Sequence, residues 1–579
     1  ANDSNDYTGG TLISTGGVTA AAANAFGPGV VTVSSTSQDS VAFNRPSGSV
    51  TTVANAFVLP AVAVKTRVFT LLGTPTTSTT VVLSGPISGG SPTSNFQMAD
   101  TNVSGNHNNV LVLANGSNSF QGTITAYRGY LGFTSNAALG HADNDLAVNV
   151  SNAAGGLRFE ADGITLGASR TIDLFGQEVI DTQAFTGRIA GAIGSSTVVG
   201  GLTKRGAGTL IINADASYAG PTAIAAGTLR IEASLLGSGT VSVASSATLA
   251  GSGTVAGPVV LASGGILSPG SSPGMLTMQS TVTWGAGAAY NWQLLSATGT
   301  AGVQWDLTRV GGSLEIASTS SDPFTINLWT LSGAGPDVNG PASGFDAAQN
   351  TSWTIASAEG GISNFAADKF RVVTSATQGT GGFANPFGGG TFSIAQAGSD
   401  LQLVYTAGIA PTVITIDVPS GTQTQTQAGY PTLSGSIPLL KTGAGTLVVD
   451  QANTLTGSTT VRGGVLRLAD GAALATSRIV PVAGGTVALT TALQTTVGGL
   501  APNAGGLVDV GNGFVTVAAG LPAADMVAAI ITGLGDGSWN GTSGITSTVA
   551  AASGGTRTVG WLDYGDGTVG FAFAAGGDT

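Results

Sequence analysis

Cysteine is absent from all 579 residues, and charge is scarce, with 18 basic and 30 acidic side chains making up 8% of the chain. The first absence excludes disulfides and thiolate metal sites. The surplus of acid, a net −12, has the wrong sign for nucleic acid or an anionic membrane as partner. Only two histidines are present, His107 and His141, so imidazole chemistry has few candidates. No run of about 18 apolar residues could span a bilayer as a helix. No signal peptide precedes Ala1, so the sequence reads as a mature product after processing.

Glycine is abundant instead, at 91 residues, and 42% of the chain is hydrophobic. That is too apolar for a disordered linker. A folded chain with many corners follows, with a surface of Thr, Ser, Asn and Gly and with stability drawn from backbone ladders and stacked side chains.

The corners recur. Gly208-Thr209-Leu210-Ile211-Ile212 and Gly227-Thr228-Leu229-Arg230-Ile231 lie 227 − 208 = 19 residues apart. Gly445-Thr446-Leu447 and Gly464-Val465-Leu466 show the same spacing, 464 − 445 = 19. Two further copies run from Val110 to Phe133 and from Asp6 to Ala20. Tyr7/Gly9/Gly16, Phe120/Gly122/Gly129, Tyr218/Gly220/Gly227 and Leu455/Gly457/Gly464 share offsets of two and nine. Side chains alternate along a strand, so Leu210 with Ile212 and Leu229 with Ile231 share one face. A strand and corner repeating near 20 residues mark a chain that winds and stacks on itself. The repeat corners are Gly208, Gly227, Gly445 and Gly464.

These residues resemble the autotransporter-associated β-strand repeat of secreted bacterial surface proteins. Leu202-Thr203-Lys204, Gly206 to Leu210, Tyr218, Gly220, Ile224, Gly227 and Leu229 sit on its pattern, and Leu440 to Leu447 does so again. Ser268-Pro269-Gly270 to Gly274 resembles the close of a repeat array. Gly577-Asp578-Thr579 resembles the lead into a dockerin-like segment. The resemblance implies an all-β, right-handed parallel β-solenoid, or β-helix, on the outside of a bacterial cell. A signal peptide and a C-terminal segment would have been removed.

Four segments are expected. Residues 1–278 form an N-terminal solenoid array. Residues 279–410 form a Trp-rich β module or a wider continuation, holding Trp284, Trp292, Trp305, Trp329 and Trp353, five of seven tryptophans. Residues 411–432 read as a link, and 433–579 as a second array ending in a hairpin at Asp566-Gly567. Ala523 to Thr532 is the one helical stretch. Some 20 coils stacked at about 4.8 Å would make a body of roughly 100 Å.

Chemistry is sparse. His141 with Asp143 and Asp145 lacks the glycine and distal glutamate of a calcium loop. Gly270-Ser271-Ser272-Pro273-Gly274 matches a nucleophile motif in letters alone, without a following helix or a downstream histidine. The densest acidic region holds Glu160, Asp162, Asp173, Glu178 and Asp181, near Arg158, Arg170 and Arg188. It is the place to seek a polysaccharide lyase or glycosidase site. A salt-bridged surface on successive coils is the simpler reading. Tyr7, Phe120 and Tyr218 read as an interior stack.

No cofactor and no metal is expected, and no enzyme. The expected function is a structural subunit of an extracellular filament, with the chain itself as partner. Its first coil begins in mid-repeat, so Ala1, Asn2, Asp3, Tyr7, Thr11, Leu12 and Ile13 would complete a neighbour's C-terminal strands near Phe571 and Phe573. That joint is head-to-tail and open. An adhesin displaying the Trp-rich region to cell-surface glycans is the alternative, and the lyase is a third reading.

Overall fold

The computed structural model describes residues 5–34, 40–63, 65–72, 78–100, 109–149, 155–197, 199–408, 413–490 and 492–575. Ala1, Asn2, Asp3 and His107 lie outside the described residues. The chain divides into two units, Ala1–Gly408 and Ile409–Thr579.

In the first unit each turn of chain gives short strands to successive parallel sheets, the longest having 13, 11 and 9 strands. One face of each strand is apolar, so stacking coils places like beside like. In the nine-stranded sheet Leu210, Leu229, Leu249, Leu267 and Tyr290 lie rung on rung, and all are fully buried. Each such leucine contributes about 1.5–3 kcal/mol by leaving water. The 13-stranded sheet repeats the arrangement through Leu202, Thr222, Val241, Val259 and Val282. Parallel strands cannot be joined by two-residue hairpins, and here the rest of each coil makes the crossover.

The Trp-rich stretch carries these ladders onward. Val282 pairs with Leu314 and Leu314 with Ile362; Tyr290 pairs with Ile326 and Ile326 with Val372. Bulkier side chains widen the coil, with Trp284 stacked on Phe324 at 4.4 Å. Thr391–Ala397 and Asp400–Thr406 then form an antiparallel hairpin against Thr351–Ala358, which ends the seven-stranded sheet.

The second unit repeats the scheme with eight- and six-stranded sheets. The stretch expected as a link supplies their first strands. Ile414–Asp417 pairs with Leu439–Thr442, and Thr422–Thr424 with Thr446–Val449. At the other end the helix Ala523–Leu534 buries Met526, Ala529 and Ile530. Its Gly533 sits so close to Ile545 that a Cβ would meet that carbonyl. Val569–Ala575 pairs antiparallel with Phe514–Val517 on one side and Arg557–Asp563 on the other.

Gly464 has φ +63°, and a Cβ there would lie 2.3 Å from the Gly445 carbonyl oxygen, whereas Gly421, at φ +69°, has nothing within 4 Å. Gly421→Ala should therefore cost only the left-handed backbone penalty, about 1–2 kcal/mol. Gly464→Ala should lower the urea midpoint of the same unit further, as followed by circular dichroism.

Candidate functional site

At two coil corners backbone carbonyls turn inward, and a lysine at the same repeat position answers them. Lys204 lies in an inward row between Ile180 and Ile224. Its Nζ donates to the carbonyls of Arg205 (2.8 Å), Gly206 (2.8 Å) and Ala226 (3.0 Å). Lys441 lies between Ile416 and Val461 and donates to Thr442 (2.6 Å), Gly443 (2.9 Å) and Gly463 (3.0 Å). An ammonium has three donors and no acceptor, so it fits three carbonyls. The corner glycines match as pairs. A Cβ on Gly208 would strike the Phe185 carbonyl and one on Gly445 the Gly421 carbonyl. Gly227 at φ +65° repeats the turn of Gly464.

A second set of corner ligands was not singled out from sequence. Asn5, Asn118 and Asn453 each donate Nδ2 to the carbonyl of an alanine 20 residues ahead, Ala25, Ala138 and Ala473. Asn118 and Asn453 also accept from the backbone N–H of Ile87 and Leu433. The signal was present: asparagine stands two residues before Tyr7, Phe120 and Leu455.

The acidic region divides among different sheets. Asp173 lies in the 11-stranded sheet, Glu178 and Asp181 in the 13-stranded one, and Asp162 precedes a strand of the nine-stranded one. Each accepts a hydrogen bond from a backbone N–H: Asp162 from Thr186, Asp173 from Ser196, Glu178 from Gly176 and Asp181 from Gln183. Glu160 pairs with Arg158 at 2.6 Å. Arg158, Asp181 and Arg205 occupy one rung row, where opposite charges face each other across strands. Arg188 bonds to Asn213. Arg170 is buried and donates to the carbonyls of Asn144 (2.5 Å) and His141 (3.0 Å). Burial lowers its pKa to about 10 against the attraction of Asp145 and Asp143.

His141 Nδ1 lies 3.6 Å from Asp143, while Asp145 accepts from the N–H and hydroxyl of Thr171. Among the described residues no group of three or more His, Asp or Glu is placed to hold a metal ion. In the Gly270–Gly274 loop Ser272 accepts from the Asp337 N–H, and Ser271 meets Glu232 and Arg230. Trp284, Trp292, Trp305 and Trp353 are buried and Trp329 partly so. The indole N–H groups of Trp292, Trp305 and Trp353 donate to the carbonyls of Asp306, Thr354 and Ala297. Those rings fill the core of the widened coils.

The aromatics expected as an interior stack and the expected assembly residues separate by environment. Tyr218 and Phe120 are interior. Tyr7 makes the same hydroxyl contact as Tyr218, to Thr11 in place of Thr222, at 2.8 Å in both. Yet Tyr7 is 43% exposed and Tyr218 3%. Thr11–Ile13 pairs with Val31–Val33 on one side. Ile13 points inward and Leu12 outward. A cleft of about 500 Å³ beside this coil is lined by Asn5, Asp6, Asn24 and Pro28, among others. Phe571 is buried and Phe573 partly so, on a strand bonded on both sides. Among the described residues the outermost strand at that end of the sheet is Arg557–Asp563.

Stacked parallel coils with a recurring lysine corner define a β-solenoid repeat protein. The passenger-associated transport repeat model matches residues 202–231 and 439–468, the two segments that carry Lys204 and Lys441 or their corners. The chain thus carries two such repeats, which are typical of autotransporter-associated proteins. No curated protein matches the chain.

Burial pushes the Lys204 ammonium from 10.5 down to about 8, against the attraction of Asp181; Lys441 is lowered too, chiefly by burial, with Asp417 opposing. Between about pH 8 and 10.5 the unfolded chain thus binds more protons than the folded one, so stability rises with pH across that window. Lys204→Met should remove this rise from the first unit and cost about 3 kcal/mol, because three buried carbonyls lose their donor. Urea midpoints of both proteins across that pH range check it.

Proposed function

We propose that the protein is a non-enzymatic structural element of the cell surface whose copies join by strand complementation into a filament. The contrast between Tyr7 and Tyr218 carries the reading. Two residues with the same repeat position and the same hydroxyl contact differ in exposure, 43% against 3%. At Tyr7 the chemistry of the interior, an aromatic ring over an apolar row, faces outward beside a strand edge. Another coil of like kind satisfies both, and a second copy supplies one.

The placement of the carboxylates supports the structural role over the lyase. Asp162, Asp173, Glu178 and Asp181 hold corners by accepting from backbone amides, and Arg170 does so by donating to carbonyls. The burial of four tryptophans favours a packing role over display to glycans. The charge-poor surface suits an assembly held by backbone ladders, which added salt screens little.

Purified protein should form fibres without added ligand, visible by negative-stain electron microscopy. Thr11 bonds inward, its N–H donating to the Val30 carbonyl, so the Leu12 N–H faces the open edge. Leu12→Pro should remove that outward donor, leave the circular dichroism spectrum unchanged and abolish long fibres. Fibres of full length from the Leu12→Pro protein would refute the role given to this edge.

A further inference from the structure

The last strand among the described residues is not the last strand of its sheet. Val569–Ala575 lies inside, and Arg557–Asp563 forms the margin. Among the described residues no strand adjoins its outer side. The Tyr564 N–H donates to the Thr568 carbonyl at 3.1 Å. Antiparallel pairing alternates, so even-numbered residues bond within the hairpin. The backbone groups of Arg557, Val559, Trp561 and Asp563 then face outward. Ser553 takes the Arg557 N–H at 3.0 Å, as that direction requires.

Protein edges are usually blunted by lysine, proline, a bulge or a covering element. This one instead presents Trp561 at 46% and Leu562 at 52% exposure. Its sequence, Arg-Thr-Val-Gly-Trp-Leu-Asp, is complementary to its own reverse. Laid antiparallel on itself about Gly560, it sets Arg557 against Asp563 at both ends. Thr558 then faces Leu562, and Val559 faces Trp561. Val559 and Trp561 meet as bonded pairs, while at the ends the Arg557 N–H stays on Ser553 and its carbonyl remains to accept; Gly560 falls at a close, non-bonded pair, where it adds no side chain to the axis. Shifting the register by two residues loses both charge pairs.

We propose that Arg557–Asp563 pairs with the same strand of a second copy, forming a two-fold joint. This rests on the reading that copies join at strand edges, and it makes the joint at this end tail-to-tail. A self-complementary edge closes on itself, whereas a heterologous one propagates.

The test uses the full chain carrying Leu12→Pro, so that only this joint remains, with mass followed by light scattering over a range of concentrations. A monomer–dimer equilibrium is expected. Arg557→Asp places like charges opposite each other twice and should weaken the dimer about tenfold. Adding Asp563→Arg should restore it, since the exchanged pair is again complementary. A Leu12→Pro protein that stays monomeric while the parent polymerises would overturn the tail-to-tail joint and leave the assembly reading standing. So would a charge exchange that fails to restore dimers. A parent chain that never associates at any concentration overturns both.

Discussion

A backbone that turns corners in each coil must bond the carbonyls it points inward, and the rest of this structure depends on how that is done. Hydrophobic rows such as Leu210, Leu229 and Leu249 provide the driving force, but a leucine cannot bond a carbonyl. Lys204 and Lys441 do, each gathering three from two successive coils. Arg170 and the asparagines at 5, 118 and 453 take the same part elsewhere. A buried carbonyl without a donor costs about 1–3 kcal/mol, and a corner holds several. The few cations of this chain are therefore placed partly inside it, which reverses the usual expectation that charge marks the surface.

That placement also changes how the acidic region reads. Carboxylates gathered in sequence between 160 and 181 look like a candidate catalytic group, because sequence compresses what a coil spreads out. One turn of the solenoid takes about 20 residues, so neighbours in sequence fall on different sheets, and neighbours in space lie a full coil apart. Asp181 and Arg205 face each other across a rung. Asp162 and Asp173 stand on separate sheets, each capping the corner of the next coil.

The repeat was legible because its corners need glycine at positions where any Cβ would strike a carbonyl, as at Gly208 and Gly227. The two solenoid segments and their apolar faces followed from that spacing. The corner chemistry was less visible. The asparagine two residues before Tyr7, Phe120 and Leu455 occurs in three copies but is Ala216 in the fourth, so the pattern is broken where the repeat is otherwise clearest. The edge arrangement at the C-terminal end could not be read at all from local patterning. Which strand lies outermost depends on the order of pairing, and Val569–Ala575 inserts between its predecessor and Phe514–Val517. Phe571 and Phe573, expected near a joint, thereby lie on a strand bonded on both sides, with Phe571 buried and Phe573 partly so.

Asn5, Asn118 and Asn453 each reach a carbonyl 20 residues ahead, so at these three corners a coil meets its neighbour at the same count along the chain. A 20-residue coil of this kind, copied or deleted whole, would leave such a reach intact. The length of such a protein is then a matter of gene duplication, open to change in single-coil steps without redesign of the core.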